Sequence, residues 1–262
     1  MSAAGGAETP LVAFEGVTLA FGGVTALSDV TFDVRPGELF AVIGPNGAGK
    51  TSIFNCLSGV YRPKAGSIRF EGERIDRWSP VAIARRGVAR TFQNLALFND
   101  LTVLDNVMLG RHHRMTTGYL AAALWLGKAK REELAHRAHC EEILELLELE
   151  GYRFAHVATL PYGVRKRLEL ARALAMEPKL LLLDEPVAGM NQEESEDMAR
   201  FILEIRRELG LAVLLVEHDM HLVMDLADRV LALDFGRVLR VGTPDEVRGD
   251  AAVVEAYLGV AG

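Results

Sequence analysis

Short apolar runs alternate with turn signals along the first third of the chain, which is typical of strands joined by tight connections. The pattern predicts strands at Leu11–Val17, Val30–Val34, Leu39–Ile43, Ser67–Glu71 and Val88–Phe92. Pro36-Gly37 separates two of these runs as a turn dipeptide. Ser79-Pro80 has the features of a helix start, so we expect a short helix that ends near Arg86.

The middle of the chain has the charge and spacing of helices. Thr102 is a candidate N-cap for a helix that ends near Leu109, and Lys128–Glu148 carries apolar residues at helical intervals. Within this helix, the spacing of His136, His139 and Cys140 favours a solvated helix face over a metal site. The apolar stretch Tyr119–Leu126 is either core or a surface that rests on a membrane or a membrane protein.

Apolar strands alternate with helices in the last third. Strands are predicted at Leu180–Asp184, Ala212–Val216 and Val230–Leu233, each followed or preceded by a helical segment, and two short helices follow Thr243-Pro244. An apolar stripe from Val164 to Leu174 predicts a further helix. Strands that lack a polar face are typical of a parallel sheet covered by helices on both sides. The predicted fold class is therefore α/β.

A glycine-rich segment lies between the strand Leu39–Ile43 and a predicted helix, Ser52–Leu57. It fits the phosphate-loop pattern G-x-x-x-x-G-K-[ST], and the predicted nucleotide-binding residues are Gly44, Pro45, Asn46, Gly47, Ala48, Gly49, Lys50, Thr51 and Ser52. Glycines let backbone N–H groups surround a phosphate, and the helix N-terminus adds positive partial charge. Lys50 is expected to reach the β- and γ-phosphates and Thr51 to bind Mg²⁺. The alternative is a glycine-rich turn that binds nothing.

Two acidic residues end the apolar strand Leu180–Asp184. At the carboxyl end of a parallel strand they lie where open α/β sheets bind ligands. Asp184 is predicted to hold Mg²⁺, directly or through water, and Glu185 to orient and deprotonate an attacking water. Such a pair alone is more often a solvated strand end, but a phosphate loop in the same chain favours the catalytic interpretation.

Three side chains are weaker candidates. Phe21, beside Gly22-Gly23, is a candidate to stack on adenine, although a lone aromatic residue near a turn is more often core. Gln93 is a candidate contact of Mg²⁺ and the γ-phosphate. His218 is a candidate contact of the γ-phosphate, although a histidine at a strand end is more often structural.

Composition narrows the class of protein. The 262 residues include 36 acidic and 29 basic side chains, and the net charge of −7 argues against broad nucleic-acid binding. Two cysteines cannot form a disulfide framework. No apolar stretch approaches the roughly 20 residues of a membrane helix. Residues 1–10 lack the basic and apolar regions of a signal peptide and are predicted to be a disordered tail.

The chain resembles the nucleotide-binding subunit of an ATP-binding cassette transporter, and in particular the ATP-binding subunit of bacterial branched-chain amino acid importers with an enlarged helical segment. The resemblance extends from about Leu11 to Leu258. Its most specific parts are Arg90–Asn94, Leu97-Phe98, Leu101–Val103, Pro161–Gly163, Ala188–Asn191, Val216–Met220 and Ala256–Gly259.

The resemblance implies roles for the candidate residues. Phe21 matches the adenine-stacking position, Gln93 the glutamine that links the nucleotide site to the membrane subunits, Asp184 the magnesium ligand, Glu185 the catalytic base and His218 the switch histidine. In this family two cassettes dimerise head to tail, so that a signature segment of one chain faces the ATP of the other. Leu160–Val164 matches that segment, with Gly163 toward the partner's ATP, but it departs from the pattern Leu-Ser-Gly-Gly-Gln. Asn191 stands where many relatives carry Asp.

The resemblance also implies an organisation of the chain around a phosphate-loop ATPase core. It divides the chain into a disordered tail (1–10), a first core part with an antiparallel β subdomain and the phosphate loop (11–94), a helical subdomain (95–161), a second core part (162–242) and a C-terminal helical tail (243–262).

The expected ligands are ATP and Mg²⁺, and the expected partners are a second ATPase subunit, two transmembrane permease subunits and, indirectly, a periplasmic substrate-binding protein. The chain would then lie at the cytoplasmic face of the inner membrane. One alternative is the ATPase subunit of a lipid or lipopolysaccharide exporter, against which Pro161-Tyr162 and Asn191 argue. Another is a soluble ATPase of DNA repair or translation, which is disfavoured because the chain has neither a long coiled coil nor surplus positive charge.

Overall fold

The computed structural model describes residues 9–91, 96–114 and 128–258. In these ranges the strands are β1 (Val12–Phe21), β2 (Val24–Val34), β3 (Leu39–Ile43), β4 (Ala65–Phe70), β5 (Glu73–Arg74), β6 (Val88–Arg90), β7 (Leu180–Asp184), β8 (Ala212–Val216), β9 (Arg229–Asp234) and β10 (Arg237–Gly242). The α-helices are α1 (Lys50–Leu57), α2 (Pro80–Arg86), α3 (Val103–Arg111), α4 (Lys128–Leu146), α5 (Tyr162–Leu174), α6 (Gln192–Leu209), α7 (Met220–Leu226), α8 (Pro244–Arg248) and α9 (Ala251–Leu258).

The strands form two sheets. One is antiparallel, with the order β2-β1-β4-β5, and the other has the order β10-β9-β3-β8-β7-β6. In the second sheet all neighbours are parallel except β10, which runs antiparallel to β9 at the edge. Every residue of β3, β7 and β8 is buried, as expected for central parallel strands. The predicted α/β class with an antiparallel N-terminal sheet is confirmed.

The first hairpin is longer than the sequence predicted. The predicted strands Leu11–Val17 and Val30–Val34 continue toward each other until Phe21 pairs with Val24. Their pairing contains register shifts after Phe14, Val17 and Leu19. Such bulges interrupt the alternation of apolar and polar residues, so the pattern hides the outer half of the hairpin. Strand β10 also escaped prediction, because a half-exposed edge strand lacks an apolar run.

The pleat of β3 divides the core into two clusters. Leu39, Ala41 and Ile43 point to the side that is covered by α3, α5 and α6, whereas Phe40 and Val42 face the antiparallel sheet and α1. The large sheet is therefore covered on both faces, which leaves its carboxyl edge as the place where loops meet.

His136 and Cys140 of α4 do not lie on a solvated face, so the prediction is wrong for these two residues, whereas His139 is partly exposed. Cys140 is completely buried and His136 is nearly so. Arg111 is buried on α3. Its Nε–H group donates to His136 Nδ1 at 3.2 Å, and its Nη1 atom donates to the carbonyl oxygen of Ala175. This polar contact joins α3 and α4 to the chain that follows α5.

Within the described parts of the chain, no helix has both the length and the apolar composition that crossing a bilayer requires.

Candidate active site

The predicted phosphate loop, the acidic pair and His218 gather at the carboxyl edge of the parallel strands. The phosphate loop follows β3, Asp184 ends β7 and Glu185 follows it, and His218 lies two residues beyond β8. Since β8 lies between β3 and β7, the three segments are neighbours along one edge. The topology thus brings together groups that are more than 100 residues apart in sequence, as open parallel sheets do at their ligand sites.

The phosphate loop depends on backbone conformations that only glycine adopts without strain. Gly44, Gly47 and Gly49 have φ values of +154°, +84° and +107°. A Cβ on Gly44 would lie 2.2 Å from the carbonyl oxygen of Leu233, so a side chain has no room there. Helix α1 starts directly after Gly49 and has no side-chain cap. The first N–H groups of this helix are therefore available to an anion.

Lys50 is buried at the start of α1, and its ammonium group reaches back to the first residues of the phosphate loop. The Nζ atom donates to the carbonyl oxygens of Gly44 at 2.7 Å and Pro45 at 3.1 Å. Burial lowers the pKa of Lys50, and the negative charges of Glu185 and Asp184 oppose that effect. The Lys50 ammonium therefore lies within electrostatic reach of both Asp184 and Glu185. The next residue of the helix, Thr51, is exposed.

Asp184 is only 3% exposed and is ion-paired. Its Oδ2 atom accepts a hydrogen bond of 2.8 Å from Arg90, at the end of β6. Arg90 also donates to Asn55 Oδ1 on α1 at 2.7 Å. Arg90 compensates the carboxylate for its burial away from water and also ties the phosphate-loop helix to β7. Among the described residues Asp184 Oδ1 makes no hydrogen bond.

Glu185 and His218 meet directly. The distance between Glu185 Oε1 and His218 Nε2 is 2.5 Å. The side chain of Glu185 is mostly buried, whereas that of His218 is 46% exposed. Glu185 has a φ of +51°, an uncommon conformation for a residue with a side chain, and such strain is often found at functional sites. The histidine therefore fixes the direction of the carboxylate.

Phe21 lies at the end of β1 and is 48% exposed. Its ring meets Tyr61 edge to face, with centroids 4.8 Å apart, and the backbone N–H of Tyr61 bonds the carbonyl of Asn55 in α1. Nearly half of Phe21 is thus exposed, while its contact with Tyr61 holds the ring beside the phosphate-loop helix. This geometry suits a flat stacking partner and differs from core packing.

The segment Leu160–Val164 contains the start of α5, which begins at Tyr162. Pro161 is the N-cap and has no side-chain hydrogen bond. Gly163 is buried, and a Cβ on it would lie 2.6 Å from Glu194 Oε1. A side chain at this position would thus face α6 of its own chain. Asn191 caps the start of α6. Its Oδ1 accepts from the Glu194 N–H at 2.9 Å, and Glu194 Oε2 accepts from the Asn191 N–H, so the two residues form a capping box.

Two models of known protein families match this chain. Residues 27–188 match the family model of the ABC transporter. The chain belongs to the ABC transporter family. Residues 241–262 also match a model described as branched-chain amino acid ATP-binding cassette transporter. Members of this family are ATP-binding cassettes, so nucleotide binding and ATP hydrolysis follow from the assignment.

Characterised relatives of this cassette align along nearly its whole length. It is 40% identical over 252 residues to the high-affinity branched-chain amino acid transport ATP-binding protein BraF of Pseudomonas aeruginosa, covering 96% of this chain and 99% of BraF. It is 37% identical, with the same coverage, to LivG of Escherichia coli, which has the same description.

Solved structures have the same fold. An ATP-binding cassette of an ABC transporter in its ADP conformation superposes with a TM-score of 0.83 at 28% identity, covering 96% of this chain and 99% of that one. A nucleotide-free cassette gives a TM-score of 0.82 at 27% identity, with 95% and 99% coverage.

Two site residues of this cassette had no role in the sequence-based prediction. Arg90 pairs with a residue 94 positions away, which no local pattern indicates. Glu217 is buried, and its carboxylate accepts from the backbone N–H groups of Val187 at 3.1 Å and His218 at 3.0 Å. Burial raises the pKa of Glu217, against the lowering effect of these two bonds. The position of Glu217 directly after the apolar strand β8 is the signal in the sequence that could have indicated it.

Some predictions lie outside the described residues. They concern Gln93 with its neighbours Phe92 and Asn94, the apolar stretch Tyr119–Leu126, and the tail up to residue 8.

Replacing Gly44 by Ala is expected to lower the free energy of unfolding by about 1–3 kcal/mol, because the new methyl group clashes with the backbone of Leu233. The displaced loop should also bind ATP about tenfold more weakly. Urea unfolding and a fluorescent-ATP titration measure the two effects. Gly23→Ala is the matched control, since a Cβ there has no neighbour within 4 Å. Equal stability and affinity in both variants would contradict the predicted close packing of the loop.

Proposed function

We propose that this chain is the ATP-hydrolysing subunit of a bacterial importer for branched-chain amino acids or related small amino acids and amides. The structural observation that carries the proposal is the pair of Glu185 and His218 beside the phosphate loop, with Lys50 in electrostatic reach. The likeness to BraF and LivG over 96% of the chain supports the choice of cargo.

In the proposed complex, the adenine ring stacks on Phe21 and the phosphates lie in the loop from Gly44 to Ser52. Lys50 donates to the β- and γ-phosphates, and its buried ammonium offsets their charge. Thr51 and Asp184, with Gln93, would hold Mg²⁺. Thr51 is an exposed residue, and Asp184 Oδ1 makes no hydrogen bond among the described residues. The Thr51 hydroxyl and this carboxylate oxygen form an oxygen-only donor set, which suits the ion. When bound, the ion supplies further neutralisation of the phosphate charge.

Hydrolysis is proposed to proceed by in-line attack of water on the γ-phosphorus. Glu185 accepts a proton from the water as the new P–O bond forms, and the bond to the β–γ bridging oxygen breaks. His218 keeps the Glu185 carboxylate in place and is itself half exposed, so it can also reach a phosphate oxygen. Lys50 stabilises the charge that develops on the leaving diphosphate.

The proposed assembly contains two cassettes, identical or different, arranged head to tail. The segment Leu160–Val164 of each chain then faces the nucleotide in the loop of the other, with the N-terminus of α5 toward the phosphates. Two transmembrane permease subunits would hold the pair at the cytoplasmic face of the membrane, and a periplasmic protein would deliver the cargo. Nucleic acid is not among the proposed partners, in line with the net charge of −7.

Reconstitution tests the cargo. The full-length chain and its candidate permease subunits are placed in lipid vesicles, with ATP on the side of this chain and radiolabelled leucine with the binding protein on the other. ATP-dependent accumulation of leucine is expected. If leucine does not move while a fluorescent phospholipid crosses the bilayer in an ATP-dependent manner, the chain belongs to a lipid exporter and the importer proposal is wrong.

A further inference from the structure

Tyr162, the first residue of α5, is bonded to the loop that follows β7. Its hydroxyl donates to the carbonyl oxygen of Ala188 at 2.9 Å, across 26 residues of sequence. The ring is 37% exposed and lies 5.9 Å from the ammonium of Lys166 on the next turn of the helix. This contact lies inside the one chain and requires no partner.

Two glycines allow the start of α5 to pack closely against the loop after β7 and the start of α6. Gly189 has a φ of +78°, and a Cβ on it would come 3.3 Å from the Tyr162 hydroxyl oxygen. Next to Tyr162, Gly163 lies against the Glu194 carboxylate, which in turn closes the capping box of α6 with Asn191. The start of α5, the loop after β7 and the start of α6 are thus joined by consecutive contacts.

The bonded loop is the one that carries Glu185. The Ala188 N–H donates to the Glu185 carbonyl oxygen at 3.2 Å, and the Val187 N–H donates to the buried carboxylate of Glu217. Glu185 has the strained φ of +51°, so its position depends on the contacts that hold this turn. Among the described residues, the Tyr162 hydroxyl is the side-chain group that bonds the Ala188 carbonyl.

We propose that Tyr162 is a positioning residue for ATP hydrolysis, which holds the turn at Ala188 and thereby the carboxylate of Glu185. The same bond connects the turn to the N-terminus of α5, so the start of this helix and the Glu185 turn move together. The inference rests on the proposed function, in which Glu185 is the base. Among the described residues, the Tyr162 hydroxyl bonds Ala188 and makes no hydrogen bond to the phosphate loop, so we expect the chain's own ATP affinity not to depend on it.

The test removes a single oxygen atom. In the full-length chain, Tyr162→Phe is expected to lower kcat about threefold to tenfold, the range that the loss of one neutral hydrogen bond gives. KM, ATP affinity in a fluorescent-ATP titration and the melting temperature should stay at their original values. Tyr152→Phe is the matched control, because Tyr152 has the same exposure of 37% and its hydroxyl makes no hydrogen bond within the described residues.

An unchanged kcat in Tyr162→Phe would overturn the inference, and so would a loss of kcat accompanied by an equal loss of ATP affinity or a lower melting temperature. Glu185→Gln is measured in the same assay. If Glu185→Gln stops hydrolysis while Tyr162→Phe leaves it intact, the inference alone fails. If Glu185→Gln retains hydrolysis, the proposed role of Glu185 fails and the inference fails with it.

Discussion

Replacing Glu185 by Gln is expected to reduce steady-state ATP turnover about 100-fold to 1000-fold, with ATP affinity unchanged. The amide has nearly the same shape as the carboxylate and keeps a hydrogen-bonding atom 2.5 Å from the ring of His218, so the turn after β7 should persist. It cannot accept the proton of the attacking water, however. Phosphate release measures turnover, and a fluorescent-ATP titration measures affinity.

This variant should also accumulate the ATP-bound closed pair of cassettes, which size-exclusion chromatography with ATP detects. Glu133→Gln, the same chemical change on the exposed face of α4, is the control and should behave like the unaltered chain. Turnover within a factor of about two of the original in Glu185→Gln would mean that another group is the base.

Replacing Lys50 by Ala is expected to weaken ATP binding about 100-fold, which is the effect of losing two charge-assisted hydrogen bonds to phosphate. The change also removes the donor to the carbonyl oxygens of Gly44 and Pro45, which then face the phosphates without a cation between them. Titration with a fluorescent ATP analogue measures the affinity directly.

Lys179→Ala is the matched control for Lys50→Ala. Lys179 lies just before β7, at the opposite edge of the same sheet, and its ammonium forms an exposed ion pair with Glu71. Such pairs contribute little, so this variant should bind ATP normally. If Lys50→Ala bound ATP as tightly as this control, the nucleotide would have to lie elsewhere on the chain.

Local sequence patterns were sufficient to predict those elements whose structure depends only on residues close together in the chain. The parallel strands β3, β7 and β8 could be predicted to the residue because each is a short apolar run, which Asp184 ends in β7, bounded by turn signals or charges. The phosphate loop needed only the spacing of its glycines and Lys50, since the chemistry of phosphate binding demands those residues within eight positions.

Contacts between residues far apart in sequence could not be predicted from local patterns. The outer half of the first hairpin was missed because bulges shift the register of β1 and β2. The buried position of His136 was also missed, because a helix with charges on most turns gives no sign that Arg111 of another helix lies against one of its histidines.

The sequence by itself thus determined the fold class, the phosphate loop and the strand ends that carry the acidic pair and His218. Only the tertiary structure decided how these groups are held: Arg90 on Asp184, His218 on Glu185, and Tyr162 on the loop behind them. The physical reason is the range of the interactions. Backbone preference and apolar spacing act over a few residues, whereas hydrogen bonds between side chains depend on which strands and helices the folded sheet makes neighbours.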